Sequence, residues 1–353
     1  MDSKKPSWTL WLALACLCLS VGEAPAARSG GKGPTGPAML NAPAGSSQET
    51  AAGQVFLHPA PSGPVTDRAA RARVEAGANR WDKGFWFGFG IRRLMGEHST
   101  MGWYPWGGPG PRLTLDDLVN GRKTPLERKV ANDQAARGTA VSMPEAARAF
   151  AARRRGEEPE RLVMKDVAIL VRMTAGDAGF PADIRVSNLD LPFDLEGLPF
   201  FWAGSASHAE SLAYLMPLYA KAAGRHDKLS VLWAIGLHRE PGAVVPFVER
   251  VLAGKECEEI RAEAAECLGE QDDPKALDLL LRTIKSDPSP DVREAAIHAL
   301  ADLPGKSGLA HLVNLAKTHP EGAVRTEAVA TIGEVGGAEA VRVLTELARG
   351  RRR

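Results

Sequence analysis

Histidine side chains are the first candidates for chemistry in this sequence, because imidazole is a common ligand of transition metals. His208, His226 and His238 lie close together along the chain. The apolar spacing around them predicts one pair of helices with the three rings spread around it, whereas a shared metal ion requires the rings to converge. We therefore predict structural histidines and no metal site.

Carboxylates are the second candidates, since they bind calcium. Four aspartates do not have the spacing of the known calcium loop, so we interpret them as solvated loop residues; they are Asp177, Asp183, Asp190 and Asp194. The sequence also contains no Gly-x-Ser-x-Gly, Gly-x-x-x-x-Gly-Lys-Ser/Thr or His-Glu-x-x-His motif. These patterns would indicate a hydrolase nucleophile, a phosphate-binding loop or a zinc protease. We predict no catalytic residue and no cofactor.

Cysteine chemistry is limited to Cys257 and Cys267, the two cysteines outside the N-terminal apolar segment. Cys257 lies at the start of a predicted helix and Cys267 lies within it, and ten residues of helix span about 15 Å. That separation exceeds the reach of a disulfide, and neither residue has Cys or His neighbours at zinc spacing. We predict two thiols that act as small, mostly buried residues and form no disulfide.

Aromatic residues are concentrated between residues 81 and 106, where four of the eight tryptophans lie. Residues 85–91 alternate aromatic residues with glycine, and Trp103, Tyr104 and Trp106 follow in a Gly/Pro-rich loop. One interpretation is an aromatic binding site for sugars or peptides. The other, which we favour, is that these rings form the core of a small domain.

The elements that must position these side chains include a repeated unit. Residues 260–269, 292–301 and 324–333 have nearly the same sequence, and each stretch begins 32 residues after the one before it. Self-similarity at such a period predicts a stacked-repeat protein. A unit of this length cannot bury its own apolar face, so neighbouring units must cover it. The result is an extended surface, which favours binding of other macromolecules.

Each unit is predicted to contain two helices. One helix ends at Gly269, and Asp273-Pro274 begins the next with a cap and a proline in its first turn. The second helix has apolar residues at Leu277, Leu280 and Ile284, on one helical face. Matching patterns predict four helix pairs over residues 226–349, with a leading helix at 207–222.

These units resemble the HEAT repeat family in its short bacterial form. The likeness lies in the Val-Arg-x-x-Ala helix and the following Asp-Pro-x-Ala-Leu helix, and it covers roughly the last 145 residues. The resemblance implies an α-solenoid that binds a protein partner. Some HEAT proteins are iron hydroxylases with His-Glu pairs on successive helices, and others resemble lyases that attach bilins. The solenoid has no His-Glu dipeptide, so no di-iron site is expected, and no residue specifically supports a bilin lyase.

The resemblance also implies that the second helices line the concave side and present the binding face. Equivalent positions on these helices form one mainly apolar row, and Arg282 belongs to the polar row beside it. The predicted partner-binding residues are Tyr214, Pro246, Leu279, Arg282, His311 and Val343. The alternative is that the apolar row is simply part of the core, and the sequence leaves both interpretations open.

The chain before the solenoid is predicted to contain three parts. Residues 1–26 are basic, then apolar over 8–21, then small at Ala24-Pro25-Ala26, which is the order of a secretory signal peptide cleaved after Ala26. The segment fits a lipoprotein signal poorly, because Ala13 stands where leucine is usual. Residues 27–79 are rich in Gly, Pro and Ala and predict a disordered linker. Residues 80–204 predict a small α+β domain, with strands at 85–91, 167–171, 184–186 and 198–204 and helices at 125–137 and 143–155.

Charge is uneven along the chain, although the net charge is only +1. Residues 68–161 contain 18 basic and 11 acidic residues, and residues 225–353 contain 18 basic and 21 acidic residues. A basic block suits nucleic acid, but export excludes that partner. We therefore predict a mainly α protein, periplasmic or secreted, without a stable membrane span after cleavage, that acts as a non-enzymatic interaction scaffold through residues 205–353. The alternative is an enzyme with its active site in residues 80–204 and the solenoid as a regulatory or substrate-holding arm.

Overall fold

The structure is a computed structural model that describes residues 47–50, 53–57, 63–97, 99–102, 114–119, 162–174, 180–191, 193–303 and 307–350. Several predictions of the sequence analysis lie outside the described residues. They are the signal peptide at 1–26, the helices at 125–137 and 143–155, Asp177, and the aromatic residues Trp103, Tyr104 and Trp106.

A six-stranded sheet precedes the helical stack. Its strands are β1 (Ser47–Thr50), β2 (Gly53–Leu57), β3 (Phe85–Gly96), β4 (Leu162–Met173), β5 (Asp183–Asn188) and β6 (Phe200–Ser205). The spatial order is β1-β2-β6-β3-β4-β5. Strand β6 is parallel to both β2 and β3, and the other pairs are antiparallel. The strands predicted near residues 85, 167, 184 and 198 are confirmed.

Buried side chains cover both faces of this sheet. Phe85, Phe87 and Phe89 of β3 belong to one core cluster, and Trp86 on the opposite face belongs to a second cluster with Phe200. The second cluster is closed by the short helix α2 (Leu115–Val119) and by the loop around Phe193 and Leu195. Burial on both faces explains why residues 85–91 of β3 and 167–171 of β4 contain no polar side chain, instead of alternating apolar and polar residues.

The predicted disordered linker at 27–79 is wrong for the residues of this segment that the structure describes, which include strands β1 and β2 and a helix. Residues 65–78 form helix α1 (Val65–Ala78), which buries Ala69, Ala72 and Ala76. Arg68 donates hydrogen bonds of 2.7 and 2.8 Å to the backbone oxygens of Ala203 and Ser205. Alanine and arginine favour helix strongly, and small side chains spaced three and four residues apart pack without large apolar residues. The sheet domain therefore begins before residue 80.

The C-terminal part is a run of nine helices within the described residues. They are α3 (His208–Lys221), α4 (Arg225–Gly236), α5 (Pro241–Ala253), α6 (Glu258–Gly269), α7 (Pro274–Ser286), α8 (Pro290–Asp302), α9 (Ser307–Thr318), α10 (Gly322–Val335) and α11 (Gly337–Gly350). The prediction of a leading helix followed by four pairs is confirmed. Asp273 caps α7 by accepting a hydrogen bond of 2.7 Å from the Lys275 amide, as its sequence indicated. None of the described helices has the length and apolarity needed to cross a bilayer.

The first helix of each pair packs directly on the first helix of the next pair. A Cβ atom on Gly269 of α6 would lie 2.9 Å from the Ala299 oxygen of α8, and one on Gly236 of α4 would lie 2.8 Å from Cys267 Sγ of α6. Both separations are too short for a side chain. Small residues at these points therefore allow α4, α6 and α8 to approach closely.

The sheet closes one end of the helical stack. The Tyr214 ring of α3 lies 5.9 Å from the rings of both Phe87 and Phe89. Arg93 of β3 reaches further, since it donates to the Leu237 oxygen at 3.0 Å and to Glu270 Oε1 at 2.6 Å. Sheet and stack share one hydrophobic core.

Candidate functional site

The six predicted partner-binding residues do not form one exposed ridge. Tyr214 and Leu279 are each only 6% exposed. Pro246 and Arg282 are exposed, and His311 and Val343 are half-buried. The structure therefore assigns Tyr214 and Leu279 to the core, which is the second of the two interpretations that the sequence left open. For Tyr214 the reason is the sheet, which covers α3 where another repeat would otherwise stand.

Arg282, one of the two exposed members, belongs to a shallow groove of mixed charge between second helices. Arg282 Nη2 of α7 lies 3.2 Å from Glu249 Oε1 of α5, and Lys275, Asp278 and Leu281 also line the groove. Exposed ion pairs of this kind contribute about 0–1 kcal/mol. Because the charges alternate in sign, the groove selects no particular class of charged ligand.

The three candidate histidines are not brought together around a metal position. The His208 and His238 rings meet edge to face at 5.2 Å, and His238 Nδ1 lies 3.0 Å from the Ala234 oxygen. Burial, with the neighbouring His208, lowers the pKa of His238 to about 4, so that ring is neutral at physiological pH. His226 is exposed. In the part of the chain that the structure describes, these histidines belong to no group of three metal-binding donors.

The other candidates have structural roles in the described residues. Asp183 pairs with Arg185 at 2.7 Å, and Asp194 Oδ1 accepts from the Glu196 amide at 2.8 Å. Trp81 and Trp86 are buried, so these two aromatics belong to the core interpretation that we favoured. Cys257 and Cys267 are both free thiols.

A different surface, formed by the first helices, brings titratable groups together. We call it the first-helix face, and it consists of Trp233, Glu263, Glu266, Glu294, His298 and Glu327, all exposed or half-buried. Trp233, Glu266 and His298 occupy equivalent positions in successive pairs, at offsets of 33 and 32 residues. Because α4, α6, α8 and α10 stack on one another, equivalent positions form a row.

Electrostatic crowding marks this face. Desolvation, with the nearby charge of Glu266, raises the pKa of Glu263 to about 8. Desolvation also raises the pKa of Glu266, where Asp302 adds to the effect and His298 opposes it. The pKa of Glu294 is raised by desolvation and then by Glu327. Desolvation is the largest cause for each of these carboxyls and a neighbouring carboxylate adds to it, so a cation bound nearby would stabilise their ionised forms.

The tightest group on the face consists of Glu294, His298 and Glu327. Glu294 and His298 lie one turn apart on α8, and Glu327 comes from α10. Their donor atoms all lie within 4.8 Å of one another, and His298 Nε2 is 2.8 Å from Glu327 Oε1. Imidazole and carboxylate are ligands of zinc and related ions.

This group was not predicted from the sequence, because it contains no adjacent His-Glu pair. The signal that would have found it is a glutamate and a histidine four residues apart on one helix, with a second glutamate 29 residues further on. That distance is close to one repeat period, so it places the third side chain on the next first helix.

Comparisons with known proteins agree with the fold. Residues 212–301 and 282–352 match the family model for HEAT repeats. A chain in the structure of the complex of CpcE and CpcF of phycocyanin lyase from Nostoc sp. PCC7120 is similar, at 19% identity and a TM-score of 0.30, over 40% of this chain and 88% of that chain. No curated protein matches the chain. The helical stack described above is therefore built of HEAT repeats, over residues 212–352.

Proposed function

We propose that this protein is an exported, non-enzymatic scaffold that binds a Lys- and Arg-rich segment of a protein partner through its first-helix face. The observation that supports the proposal best is the set of carboxyl groups that the stacked first helices bring together on this face. HEAT repeats offer an extended surface instead of a closed pocket, and this surface has one dominant sign of charge. A basic segment would offset the negative charge that Glu266 places beside Glu263 and that Glu327 places beside Glu294.

Trp233 gives the face an apolar anchor. Its side chain is 40% exposed, whereas most large apolar side chains of the stack are buried. Tryptophan is enriched among the residues that dominate binding energy, and its ring attracts Lys and Arg cations. It lies in the same row as Glu266 and His298, so a cation and an aliphatic stem can be bound side by side.

Export is the part of the proposal that rests on sequence alone. Lys4-Lys5, the apolar run at 8–21 and Ala24-Pro25-Ala26 have the order of a signal peptide. Intact-mass measurement of the exported protein would give a chain that begins after Ala26. A retained Met1 would contradict export by this route.

The alternative, an enzyme with its site at residues 80–204, has less support. Within the described residues both faces of the sheet are covered by buried side chains. The one group of three metal-binding donors in the described residues lies in the repeats. We therefore place the proposed function in the stack.

A peptide titration tests the binding proposal. A fluorescent Lys/Arg-rich peptide and an acidic peptide of equal length would be titrated with the full chain in EDTA, at low and at physiological salt. We expect the basic peptide to bind more tightly and to weaken as salt rises. Trp233→Ala and Glu266→Gln should weaken it, whereas the second-helix control Asp278→Asn should not. Equal binding of both peptides, or equal loss in the control, would overturn the proposal.

A further inference from the structure

Glu294, His298 and Glu327 have the composition and placement of a metal site at a junction between repeats. The i and i+4 positions of α8 project from one face of the helix, and Glu327 of α10 faces them from the next pair. The three donor atoms come from two helices that the stack holds together, so the group depends on the fold and not on a mobile loop.

The geometry is close to that of a bound ion. Ligand atoms that surround a zinc ion tetrahedrally at about 2.0–2.2 Å stand roughly 3.4 Å apart. The donor atoms here lie within 4.8 Å, and one pair is already at 2.8 Å. Small side-chain rotations would therefore bring all three onto one ion.

The surroundings suit a bound cation with one open position. The side chains of His298 and Glu327 are 17% and 30% exposed, so the group is partly shielded and still reachable from solvent. Glu266 lies close to both His298 and Asp302, and Asp302 lies one turn after His298 on α8, so both carboxyl groups add negative charge beside the histidine. An imidazole among the donors favours zinc and similar ions over calcium and magnesium, which prefer ligand sets made only of oxygen.

We propose that Glu294, His298 and Glu327 bind a divalent transition metal ion, with Zn²⁺ as the best match, and that the ion joins the third repeat to the fourth. Three protein ligands leave a fourth position for water or for a donor from a partner. The three ligands belong to the first-helix face, but the peptide titration is carried out in EDTA, so its outcome does not depend on a bound metal ion. Either proposal can therefore fail without the other.

Calorimetric titration of the full, EDTA-stripped chain with Zn²⁺ tests the site, and the visible absorption of Co²⁺ reports the ligand set. We expect saturable binding of one ion per chain. His298→Ala and Glu294→Gln should each weaken Zn²⁺ binding at least about tenfold, since even a change around the ligands costs 10–100-fold. Glu294→Gln leaves the contact between His298 and Glu327 in place, so it tests the ligand without breaking that pair.

Glu266→Gln is the matched control, because it removes a neighbouring charge but no ligand. If it weakens Zn²⁺ binding as much as Glu294→Gln, the ion is attracted only by diffuse charge and the proposal is wrong. An absence of saturable binding to the unmodified chain would also overturn it. Thermal unfolding tests the junction: Zn²⁺ should raise the midpoint of the unmodified chain and not that of Glu294→Gln. Tight binding without this shift would exclude the joining role.

Discussion

Single carboxyl groups on the first-helix face make folding depend on pH. Glu263 has an ordinary pKa of 4.5, and desolvation with the charge of Glu266 raises it to about 8 in the folded chain. Between these values the unfolded chain is ionised at Glu263 while the folded chain remains protonated. Unfolding therefore releases a proton, and stability falls as the pH rises from about 4.5 to about 8.

Glu263→Gln should remove this loss. The variant should gain stability relative to the unmodified chain, most strongly above pH 8 and least below pH 4.5, because glutamine has no charge to desolvate. Urea unfolding at about pH 5 and about pH 8.5 measures the difference. The exposed carboxyl of Asp278 provides the control, since Asp278→Asn should leave the pH dependence unchanged. A Glu263→Gln variant with the same pH slope as the parent would contradict the argument.

Individual site residues were predictable only where the repeat period applied. Periodicity places Leu279 and Tyr214 at equivalent positions but does not show that a sheet covers α3, so the fate of Tyr214 depended on tertiary structure. The group of Glu294, His298 and Glu327 was readable in principle, because its spacing follows from one helical turn and nearly one repeat. It was missed because a histidine four residues after a glutamate is common on helices. The pair indicates a metal site only when the position of Glu327 on the next first helix is known.

Close packing between first helices is the main constraint at the scale of elements. Gly269→Ala would place a Cβ atom 2.9 Å from the Ala299 oxygen and 3.1 Å from Asp302 Cβ. Backbone atoms cannot move aside as a flexible side chain can, so the substitution should lower the free energy of unfolding by about 1–3 kcal/mol. Chemical denaturation measures the cost.

Gly242→Ala in α5 is the matched control, because nothing lies within 4 Å of the added atom. Alanine there should be neutral or stabilise the protein by up to about 1 kcal/mol, since it restricts the unfolded chain. If both variants behaved alike, α6 and α8 would not be in the close contact described above.

Local sequence signals located most elements correctly. The cap and proline at Asp273-Pro274 mark a helix start, and Gly269 marks a helix end. The exceptions are β1, β2 and α1, which lie where composition indicated disorder. The α1 segment has few large apolar residues. Its stability comes from alanines against the sheet and from Arg68 bonded to β6, and neither contact is visible in local composition.

Arg93 links the sheet to the stack, so we expect the two parts to unfold together. Its side chain is only 8% exposed and bonds to both Leu237 and Glu270. Arg93→Met should remove these bonds and leave the Leu237 oxygen without its arginine donor. We expect the free energy of unfolding to fall by about 1.5–3 kcal/mol. Denaturant unfolding measures the loss, and hydrogen exchange in α4 should increase.

Arg92→Met is the control for this prediction. Arg92 is the adjacent residue, its side chain is 67% exposed, and its Nε atom lies 3.7 Å from Asp166 Oδ1. Its replacement should change stability by less than about 0.5 kcal/mol. An equal effect of both variants would mean that Arg93 contributes no special link.

The non-identical row on the first-helix face gives the stack a direction. Four different residues occupy equivalent positions, in order away from the sheet: Trp233, Glu266, His298 and Ala330. The first is aromatic, the second is acidic, the third is an imidazole and a proposed metal ligand, and the fourth is small. A row of identical residues would accept an extended chain in either orientation and at any offset. This row instead distinguishes the two ends of a bound chain, so a peptide and its reversed sequence, equal in composition and charge, should bind with different affinities.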